Sequence, residues 1–414
     1  MFVARRNRKT NQQLVVIQNH IKEHMDIKEI AKGKRVLVLE GYCKQTLPFL
    51  RGFRELGCEV TVLCGSKMDC SYLSRLPHHK IVGVCDVHNP KGSEEYICNL
   101  VKTGNYDLVF SPFEFASRIL AHNKEELSRY AIIYVNDGPV FDAANDKNQV
   151  MKVCMENNIP CPYTIFGVKS LADVKASSIP FPIIIKPRQG YGGRGFHAFE
   201  SFEELEAYVT ANQTNLEEYV IQERIPKNRR GMACTIFTDR NGEVKSAFSY
   251  ECKHMYPEVG GTSTLNALID APDVAESCAR LTKLMKLQGI VAVDIMMDPR
   301  DGKGKVIEIN VRSPHAIAIG FASGFKLCQQ IMEDAYGLEV TKFDCVKTDF
   351  CMRIGQTDML WFLTSPDRFK KTPRKMGYKK VKEQMFFWDD PLPWFGFLIS
   401  GLLNFKKTMK EKKQ

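Results

Sequence analysis

Two short apolar segments joined by a turn constrain the fold of this chain most strongly. A turn containing Pro and Gly separates residues 291–297 (Val-Ala-Val-Asp-Ile-Met-Met) from residues 306–310 (Val-Ile-Glu-Ile-Asn), which predicts two antiparallel strands. Glu308 and Asn310 are two residues apart and share a strand face, and Asp294 can meet them across the hairpin. Two carboxylates among valines and isoleucines are costly to bury without a cation. The hairpin therefore predicts a metal site. The alternative is a surface hairpin whose polar face is in water.

The first third of the chain alternates short apolar segments with helix-forming segments. Apolar runs lie at 35–39, 59–63, 107–110 and 131–135, and helical patterns lie at 46–56 and 94–103. Such alternation is typical of βαβ units on a parallel sheet. Farther along, turns at 239–242 and 298–302 join hairpins, which indicates an α+β region built on antiparallel sheets.

A glycine-rich loop follows the apolar segment 183–186, which ends in Lys186. The loop contains Gly190, Gly192, Gly193, Arg194 and Gly195. Glycines let backbone N–H groups approach phosphate oxygens, and a lysine on the preceding strand adds a positive charge. The spacing differs from a P-loop because no Gly-Lys-Ser/Thr is present. The pattern favours a phosphate-binding loop over a plain turn between strands.

The net charge of +10 belongs to one segment. Residues 368–414 hold 13 Lys and Arg against 4 Asp and Glu, a surplus of 9, so the preceding residues are nearly neutral. No nucleic-acid-binding motif accompanies the basic segment, which argues against a nucleic-acid partner.

The cysteines and the N-terminus suggest a reducing compartment. Fourteen cysteines occur singly without a Cys-x-x-Cys pair, which argues against a zinc or iron–sulfur cluster. The basic N-terminal residues are not followed by an apolar run of the signal-peptide type. We therefore expect a cytoplasmic protein with reduced thiols.

The C-terminal tail combines aromatic residues with a lysine cluster. Trp388, Trp394 and the apolar run at 394–405 precede five lysines between 406 and 413. This arrangement is compatible with peripheral contact of residues 386–414 with the inner face of a membrane. The alternative is that residues 386–405 pack on the body of the protein.

Several of these motifs, taken in order, resemble the ATP-grasp superfamily. Lys186 with its glycine loop, Gln-Glu-Arg-Ile-Pro at 222–226, and Glu-Ile-Asn-Val-Arg at 308–312 are similar to the biotin carboxylase and carbamoyl phosphate synthase branch, as is the pair Asp146-Lys147. The dipeptides Tyr-Pro at 256–257, Gly-Gly at 260–261 and Ser-Thr at 263–264, with Trp-Asp-Asp-Pro-Leu-Pro at 388–393, resemble single-chain carboxylate–amine ligase-like proteins.

The resemblance implies a Rossmann-like pre-ATP-grasp domain followed by a two-lobed ATP-grasp domain. The expected segments are an N-terminal extension at 1–33, the Rossmann-like domain at 34–140, the ATP-grasp domain at 141–340 with its lid at about 141–215, and a C-terminal appendage at 341–414. The overall class is thus α/β followed by α+β.

The resemblance also implies a role for each motif. Lys147 and Lys186 hold the α- and β-phosphates of ATP, and the backbone of 190–195 closes over the β- and γ-phosphates. The implied adenine-reading hinge, which acts chiefly through its main chain, consists of Gln222, Glu223, Arg224 and Ile225. The implied ligands of Mg²⁺, with Mn²⁺ as an alternative ion, are Asp294, Glu308 and Asn310. Arg312 is the implied catalytic residue, which stabilises charge on the transferring phosphoryl group.

Two positions depart from the family pattern. The segment 229–233 lacks the acidic residue that many relatives use to bind the ribose hydroxyls, and Val311 replaces a proline. The expected activity is that of an ADP-forming ligase, which converts a small-molecule carboxylate into an acyl-phosphate for attack by an amine or a thiol. The alternatives are carbamoyl-phosphate-type or carboxylase chemistry on bicarbonate, and a non-catalytic MgATP-binding protein.

Overall fold

The computed structural model describes residues 26–190, 195–226, 231–258, 261–344 and 349–399. The N-terminal part of this range is a parallel sheet of order β3-β2-β1-β4-β5. Its strands are β1 (Arg35–Val38), β2 (Glu59–Cys64), β3 (His79–Val82), β4 (Leu108–Phe110) and β5 (Ile132–Tyr134). The helices around it are α1 (Ile27–Ala31), α2 (Thr46–Glu55), α3 (Cys70–Leu73), α4 (Pro90–Thr103), α5 (Glu114–His122) and α6 (Lys124–Leu127).

The parallel sheet confirms the βαβ pattern and adds one strand that the pattern missed. Strands β1, β2 and β4 are almost entirely buried, as expected for parallel strands covered on both faces. Strand β3 lies at the edge, and most of its side chains are exposed. Its sequence, His-Lys-Ile-Val, therefore lacks the apolar run that identifies a covered strand.

A small antiparallel sheet follows helices α7 (Gly138–Asn145) and α8 (Lys147–Glu156). It has the order β6-β9-β7-β8, with β6 (Thr164–Ile165), β7 (Ile183–Pro187), β8 (His197–Phe199) and β9 (Tyr219–Glu223), and its helices are α9 (Leu171–Ala176) and α10 (Phe202–Asn212). This small sheet corresponds to the lid that the resemblance implies, and we refer to it as the lid. Because Gln222 pairs with Thr164 and Ile184, the lid sheet extends past the boundary near 215 that the sequence predicts.

The larger lobe is a seven-stranded sheet of order β14-β13-β10-β11-β12-β15-β16. Its strands are β10 (Gly231–Thr238), β11 (Val244–Tyr256), β12 (Thr262–Ile269), β13 (Gly289–Met297), β14 (Gly304–Asn310), β15 (Phe350–Arg353) and β16 (Lys380–Glu383). Both predicted hairpins are present, as β10–β11 and β13–β14. Helices α7, α8 and α11 (Pro272–Leu284) pack on this sheet through a shared apolar cluster that includes Val150, Cys278 and Val293.

The N-terminal sheet and the larger lobe share one hydrophobic core. Phe49 of α2 contacts Phe110 of β4 and Phe321, which lies on α12 (Ile317–Ala322). Helix α13 (Leu327–Ala335) contributes Asp334, whose carboxylate accepts a 2.8 Å hydrogen bond from the Tyr134 hydroxyl of β5. These contacts fix the carboxyl ends of the parallel strands against the larger lobe.

The C-terminal segment is built into the body rather than appended to it. Strand β15 pairs with β12, and helix α14 (Gly355–Thr364) follows β15. Asp389 accepts hydrogen bonds from Arg51 at 2.8 and 3.1 Å, and Asp390 accepts one from the Ser74 hydroxyl at 2.5 Å. Residues 386–399 thus pack on the N-terminal sheet region. Residues 400–414, with the lysine cluster, lie outside the described residues, as do residues 1–25. Within the described ranges, no helix combines the length and apolar character needed to cross a bilayer.

Candidate active site

Two carboxylates lie side by side on the β13–β14 hairpin. Asp294 and Glu308 are direct partners in the antiparallel register, so their side chains project from the same face of the sheet. Burial, together with the neighbouring Glu308 carboxylate, raises the pKa of Asp294 to about 7. Two acids held this close repel each other when both are ionised, so the site favours a proton or a cation between them.

Asn310 and Arg312 continue the polar row beyond Glu308. The Asn310 amide donates to Asp294 Oδ2 at 3.2 Å, and its carbonyl oxygen accepts from Arg312 Nη2 at 3.0 Å. The oxygen that was predicted to bind a metal is therefore turned toward Arg312. Arg312 is mostly buried, with its guanidinium 5.0 Å from the ring centre of Phe113 and 3.9 Å from Glu114.

Two lysines from other elements converge on this carboxylate pair. Lys147 Nζ lies 3.4 Å from Glu308 Oε2, and Lys186 Nζ donates to the main-chain carbonyl of Ile307 at 3.2 Å. Burial lowers the pKa of Lys186 to about 8, and the nearby Glu308 and Asp294 limit the decrease. Helix α8, lid strand β7 and the β13–β14 hairpin thus meet at one charged cluster.

Asp146 and Arg188 hold the first turn of α8 against the start of the glycine loop. The Asp146 carboxylate caps the helix by accepting from the Asn148 amide at 2.9 Å. Arg188 donates to both oxygens of the same carboxylate, with its Nε at 3.2 Å and its Nη2 in a second, shorter contact. In return, the Lys147 amide donates to the Arg188 carbonyl at 3.1 Å. Sequence reasoning missed Arg188, which the pairing with Asp146 makes part of the site.

Gly190 and Gly195, the two loop glycines within the described residues, both have backbone conformations in the left-handed region. Gly190 has φ +120° and Gly195 has φ +68°, and a Cβ on Gly195 would lie 2.8 Å from Pro187 Cγ. The Gly190 carbonyl accepts a 2.9 Å hydrogen bond from Lys147 Nζ. The other predicted loop residues, Gly192, Gly193 and Arg194, lie outside the described residues. The segment 227–230, which includes two of the arginines next to the expected ribose site, does so as well.

The predicted hinge lies at the end of strand β9. The Gln222 side chain is buried in the lid and donates to Thr164 at 2.8 Å, while its Oε1 has no partner among the described residues. The Glu223 carboxylate pairs with Arg300 at 2.7 Å, and the Arg224 side chain pairs with Glu200 at the surface. The Glu223 amide donates to the Tyr163 carbonyl at 2.9 Å, so it is already used. No described residue accepts from the amide of Ile225.

The N-terminal sheet brings a second group of polar residues to Arg312. Glu40 follows β1 and is fully buried, and its carboxylate accepts from Ser111 at 2.5 Å and from Tyr42 at 3.1 Å. Burial raises the pKa of Glu40 to about 7, although Ser111, Tyr42 and Arg312 oppose the increase. Sequence reasoning missed this group. A signal was available, because these residues follow strands of a predicted parallel sheet, whose carboxyl ends commonly form binding sites.

Part of the chain matches a known protein family. Residues 144–314 match the family described as the ATP-grasp domain. The chain is 24% identical over 288 residues to D-aspartate ligase from Enterococcus faecium (strain Aus0004), which covers 65% of this chain and 67% of that enzyme.

Two solved structures show the same fold. Biotin carboxylase from Campylobacter jejuni, in its β-γ-ATP complex, has a TM-score of 0.64 and 17% identity and covers 76% of this chain and 73% of its own. N5-carboxyaminoimidazole synthetase from Staphylococcus aureus, complexed with ADP, has a TM-score of 0.58 and 16% identity, covering 76% and 80%. At these low sequence identities, the similarity shows a shared fold and nothing more. The predicted resemblance is confirmed, and residues 144–314 of this chain form an ATP-grasp domain.

Proposed function

We propose that this chain is an ADP-forming ligase that uses MgATP to activate a substrate carboxylate for attack by an amine. The observation that carries the proposal is the pairing of Asp294 with Glu308, with Lys147 and Lys186 converging on the same cluster from two other elements. A phosphoryl-transfer site requires adjacent carboxylates for a divalent cation and lysines for the phosphates.

The carboxylate pair fits Mg²⁺. Asp294 and Glu308 are neighbours on one sheet face, and burial together with the Glu308 charge raises the pKa of Asp294, an effect that a bound cation would offset. No group of three or more His, Cys, Asp or Glu side chains in the described ranges is arranged to hold a metal. Two carboxylates, with Asn310 beside them, leave coordination positions for phosphate oxygens and water, as Mg²⁺ prefers. When bound, Mg²⁺ or Mn²⁺ would neutralise charge on the β- and γ-phosphates.

The hinge fits a nucleotide base. The Ile225 amide has no acceptor among the described residues, and Gln222 Oε1 is a buried acceptor without a described partner. Leaving buried polar groups unpaired is costly, so such groups are often completed by a ligand. An adenine ring offers an acceptor at N1 and an amino group at N6. These two groups support adenine binding at the end of β9.

The residues then divide the reaction between them. Lys147 and Lys186 hold the phosphates in line with the substrate carboxylate, whose oxygen attacks the γ-phosphorus as ADP leaves. Arg312 stabilises the negative charge of the transferred phosphoryl group. The amine attacks the acyl carbon, the phosphate leaves, and the amine loses a proton as the amide forms. Catalysis of this kind depends on positioning and electrostatics.

The name of one relative, D-aspartate ligase, supports carboxylate–amine ligation and makes aspartate the first acid to test. The biotin carboxylase and carboxyaminoimidazole synthetase neighbours share the fold, so bicarbonate is the competing acid. A chain that only bound MgATP would not need Arg312 beside the carboxylates. The carboxylate–thiol variant differs only in the attacking group.

Measurement of ADP release across a panel of acids and amines, including D-aspartate and bicarbonate, tests the proposal. With carboxyl-¹⁸O acid, one label should appear in the released phosphate. Release of AMP with unlabelled phosphate would contradict the acyl-phosphate route, and turnover with bicarbonate alone would favour carboxylase chemistry. Independently, MgATP at about 100 times its Kd should stabilise the fold by about 2.7 kcal/mol. A response to GTP but not to ATP would contradict the nucleotide assignment.

We further propose that the C-terminal tail contacts an anionic membrane surface. Trp388 is 91% exposed, and Leu392, Phe395 and Ile399 are also exposed on the described part of the tail. In the sequence, five lysines follow at 406–413. Exposed aromatic residues next to a lysine cluster favour an interfacial contact.

A further inference from the structure

The parallel sheet has a topological switch point at the carboxyl ends of β1 and β4. The chain leaves β1 for β2 on one side, and β4 pairs with β1 on the other side, so the strand order reverses between β1 and β4. Ligands in open α/β sheets bind at such switch points. The residues that cover the switch point from the larger lobe are 312–315, directly after Asn310. The Ser313 amide donates to the Pro112 carbonyl at 3.1 Å.

Lys44, which follows β1 near this switch point, is a buried cation without a partner among the described residues. It is only 8% exposed, and its ammonium makes no hydrogen bond or ion pair with a described residue. Other well-covered lysines of the chain are paired, such as Lys305 with Asp298 at 2.7 Å. Burial lowers the pKa of Lys44 to about 8, and no carboxylate opposes the decrease. An ammonium buried in this way is costly until an anion joins it.

Glu40, an acidic residue at the same strand end, already has hydrogen-bond partners. The Glu40 carboxylate accepts from Ser111 at 2.5 Å and from Tyr42 at 3.1 Å. Burial and the thiols of Cys43 and Cys70 shift the pKa of Lys44, with no contribution from Glu40, whereas Arg312 lowers the pKa of Glu40. Glu40 is therefore directed toward Arg312 and the two hydroxyls, and the charge of Lys44 remains available to a ligand.

His315 can supply a second donor, because Lys44 lies close enough to lower the pKa of the His315 ring. The Gln45 amide lies 3.3 Å from His315 Nδ1 and donates to it, so the proton of the neutral ring is on Nε2. Burial, with Lys44 and Arg312 nearby, lowers the pKa of His315 well below its usual range and keeps the ring neutral. His315 is thus influenced by two cations, Lys44 on the N-terminal sheet and Arg312 at the phosphoryl-transfer site.

We propose that Lys44 and His315 form a subsite for a substrate carboxylate other than the one that is phosphorylated. The inference rests on the proposed ligase function and narrows its substrate class. One substrate carries a second carboxylate, either on the activated acid, as in aspartate, or on the attacking amine, as in an amino acid. Arg312 acts at the reacting carboxylate while Lys44, with Nε2 of His315, holds the spectator carboxylate at the switch point.

The first experiment needs no nucleotide and uses succinate as the probe. Thermal unfolding and calorimetric titration compare the full-length wild type with Lys44→Met, Lys44→Arg and the control Lys91→Met, at constant ionic strength. Lys91 lies exposed at the start of α4. Lys44→Met should raise the melting temperature of the free protein, because an unpaired buried charge is removed. The same change should weaken succinate binding about tenfold or more.

The controls separate a ligand site from a structural lysine. Lys44→Arg should retain succinate binding, and Lys91→Met should change neither property. A structural lysine would give the opposite result, with Lys44→Met lowering the melting temperature and leaving the succinate response intact. That result, or a wild type that does not respond to succinate, overturns the subsite.

A second experiment distinguishes failure of the subsite from failure of the ligase proposal. The MgATP-dependent shift in melting temperature should be equal in wild type and Lys44→Met, while KM rises for aspartate or for an amino-acid amine, whichever carries the spectator carboxylate. If succinate binding depends on Lys44 but MgATP produces no response, the subsite proposal is supported and the ligase proposal is wrong. If Lys44→Met has a normal MgATP response, unchanged KM values and unchanged succinate binding, only the subsite proposal is wrong.

Discussion

Lys147 Nζ lies 3.4 Å from Glu308 Oε2, which joins the first turn of helix α8 to the carboxylate hairpin of the larger lobe. The same ammonium donates to the Gly190 carbonyl at 2.9 Å, so one side chain connects the hairpin, the helix and the glycine loop. In the proposed function, this contact places a positive charge beside the phosphates of the nucleotide. It also explains why changes at the hairpin and at the helix should affect one activity.

Replacement of Glu308 by Gln should reduce turnover far more than nucleotide binding. The negative charge of Glu308 offsets a metal ion whose contacts with the phosphates tighten in the transition state. ADP formation should fall about 10²–10³-fold, while MgATP affinity changes much less. The exposed Glu206, changed to Gln, is the matched control and should leave both values unaltered. Near-normal ADP release by Glu308→Gln with a true substrate would show that the metal role is wrong.

The Asp146–Arg188 pair should couple stability to nucleotide affinity. Asp146→Ala removes a helix cap and leaves Arg188 without its partner, which should cost about 1–2 kcal/mol of unfolding free energy. The same change should raise KM for ATP, because Lys147 is the first residue of the capped helix. A double-mutant cycle with Arg188→Met measures the coupling.

The control for this cycle lies on the same helix. Glu156→Ala removes only an exposed pair with Lys152, so it should cost about 0.5 kcal/mol or less without affecting KM. Additive effects of Asp146→Ala and Arg188→Met would mean that the pair does not act as a unit.

Glu40 should make stability depend on pH between about 4.5 and 7. Its folded-state pKa is raised to about 7, so the folded protein retains a proton that the unfolded chain has already lost. Stability therefore decreases as the pH rises through this window, and the contribution is fully present only below the unfolded value. Since one pKa unit corresponds to about 1.4 kcal/mol, the effect is about 3 kcal/mol at most. Glu40→Gln should flatten the curve.

Denaturant unfolding at pH 5 and pH 8 measures this contribution. The difference in unfolding free energy, Glu40→Gln minus wild type, should be more positive at pH 8 than at pH 5. Glu206→Gln serves again as the exposed control. Parallel pH curves for wild type and Glu40→Gln would contradict the burial of an acid that is largely protonated below neutral pH.

The tail should direct the protein to anionic vesicles. Each lysine near anionic lipid contributes up to ~1 kcal/mol, so the five lysines at 406–413 should dominate binding at low salt. A chain ending at residue 399 keeps the Asp389 and Asp390 contacts with the body but loses the cluster. Full-length protein should sediment with anionic and not with neutral liposomes, and the shortened chain with neither. Equal sedimentation of both chains would assign any binding to another surface.

Much of the fold follows from local patterns that the sequence carries. Covered parallel strands are apolar runs, and the short turn at 298–302 sets the pairing that brings Asp294 to Glu308. The glycine loop after Lys186 and the order of the motifs predict the ATP-grasp domain. These features were predictable because neighbours in the chain, or partners across one turn, determine them.

Other features depend on contacts between distant parts of the chain. Strand β3 is exposed, so only its pairing with β2 identifies it. Within the predicted C-terminal appendage at 341–414, only the pairing of β15 with β12 and of β16 with β15 shows that these strands belong to the larger sheet. The lid extends to Glu223 for the same reason. The sequence does not show that Lys44 and Glu40 are buried. Their burial arises only when residues 312–315 cover the switch point. The sequence by itself determined the carboxylate hairpin and its domain, whereas only the tertiary structure decided which distant charges face it, because burial and pairing are properties of the assembled lobes.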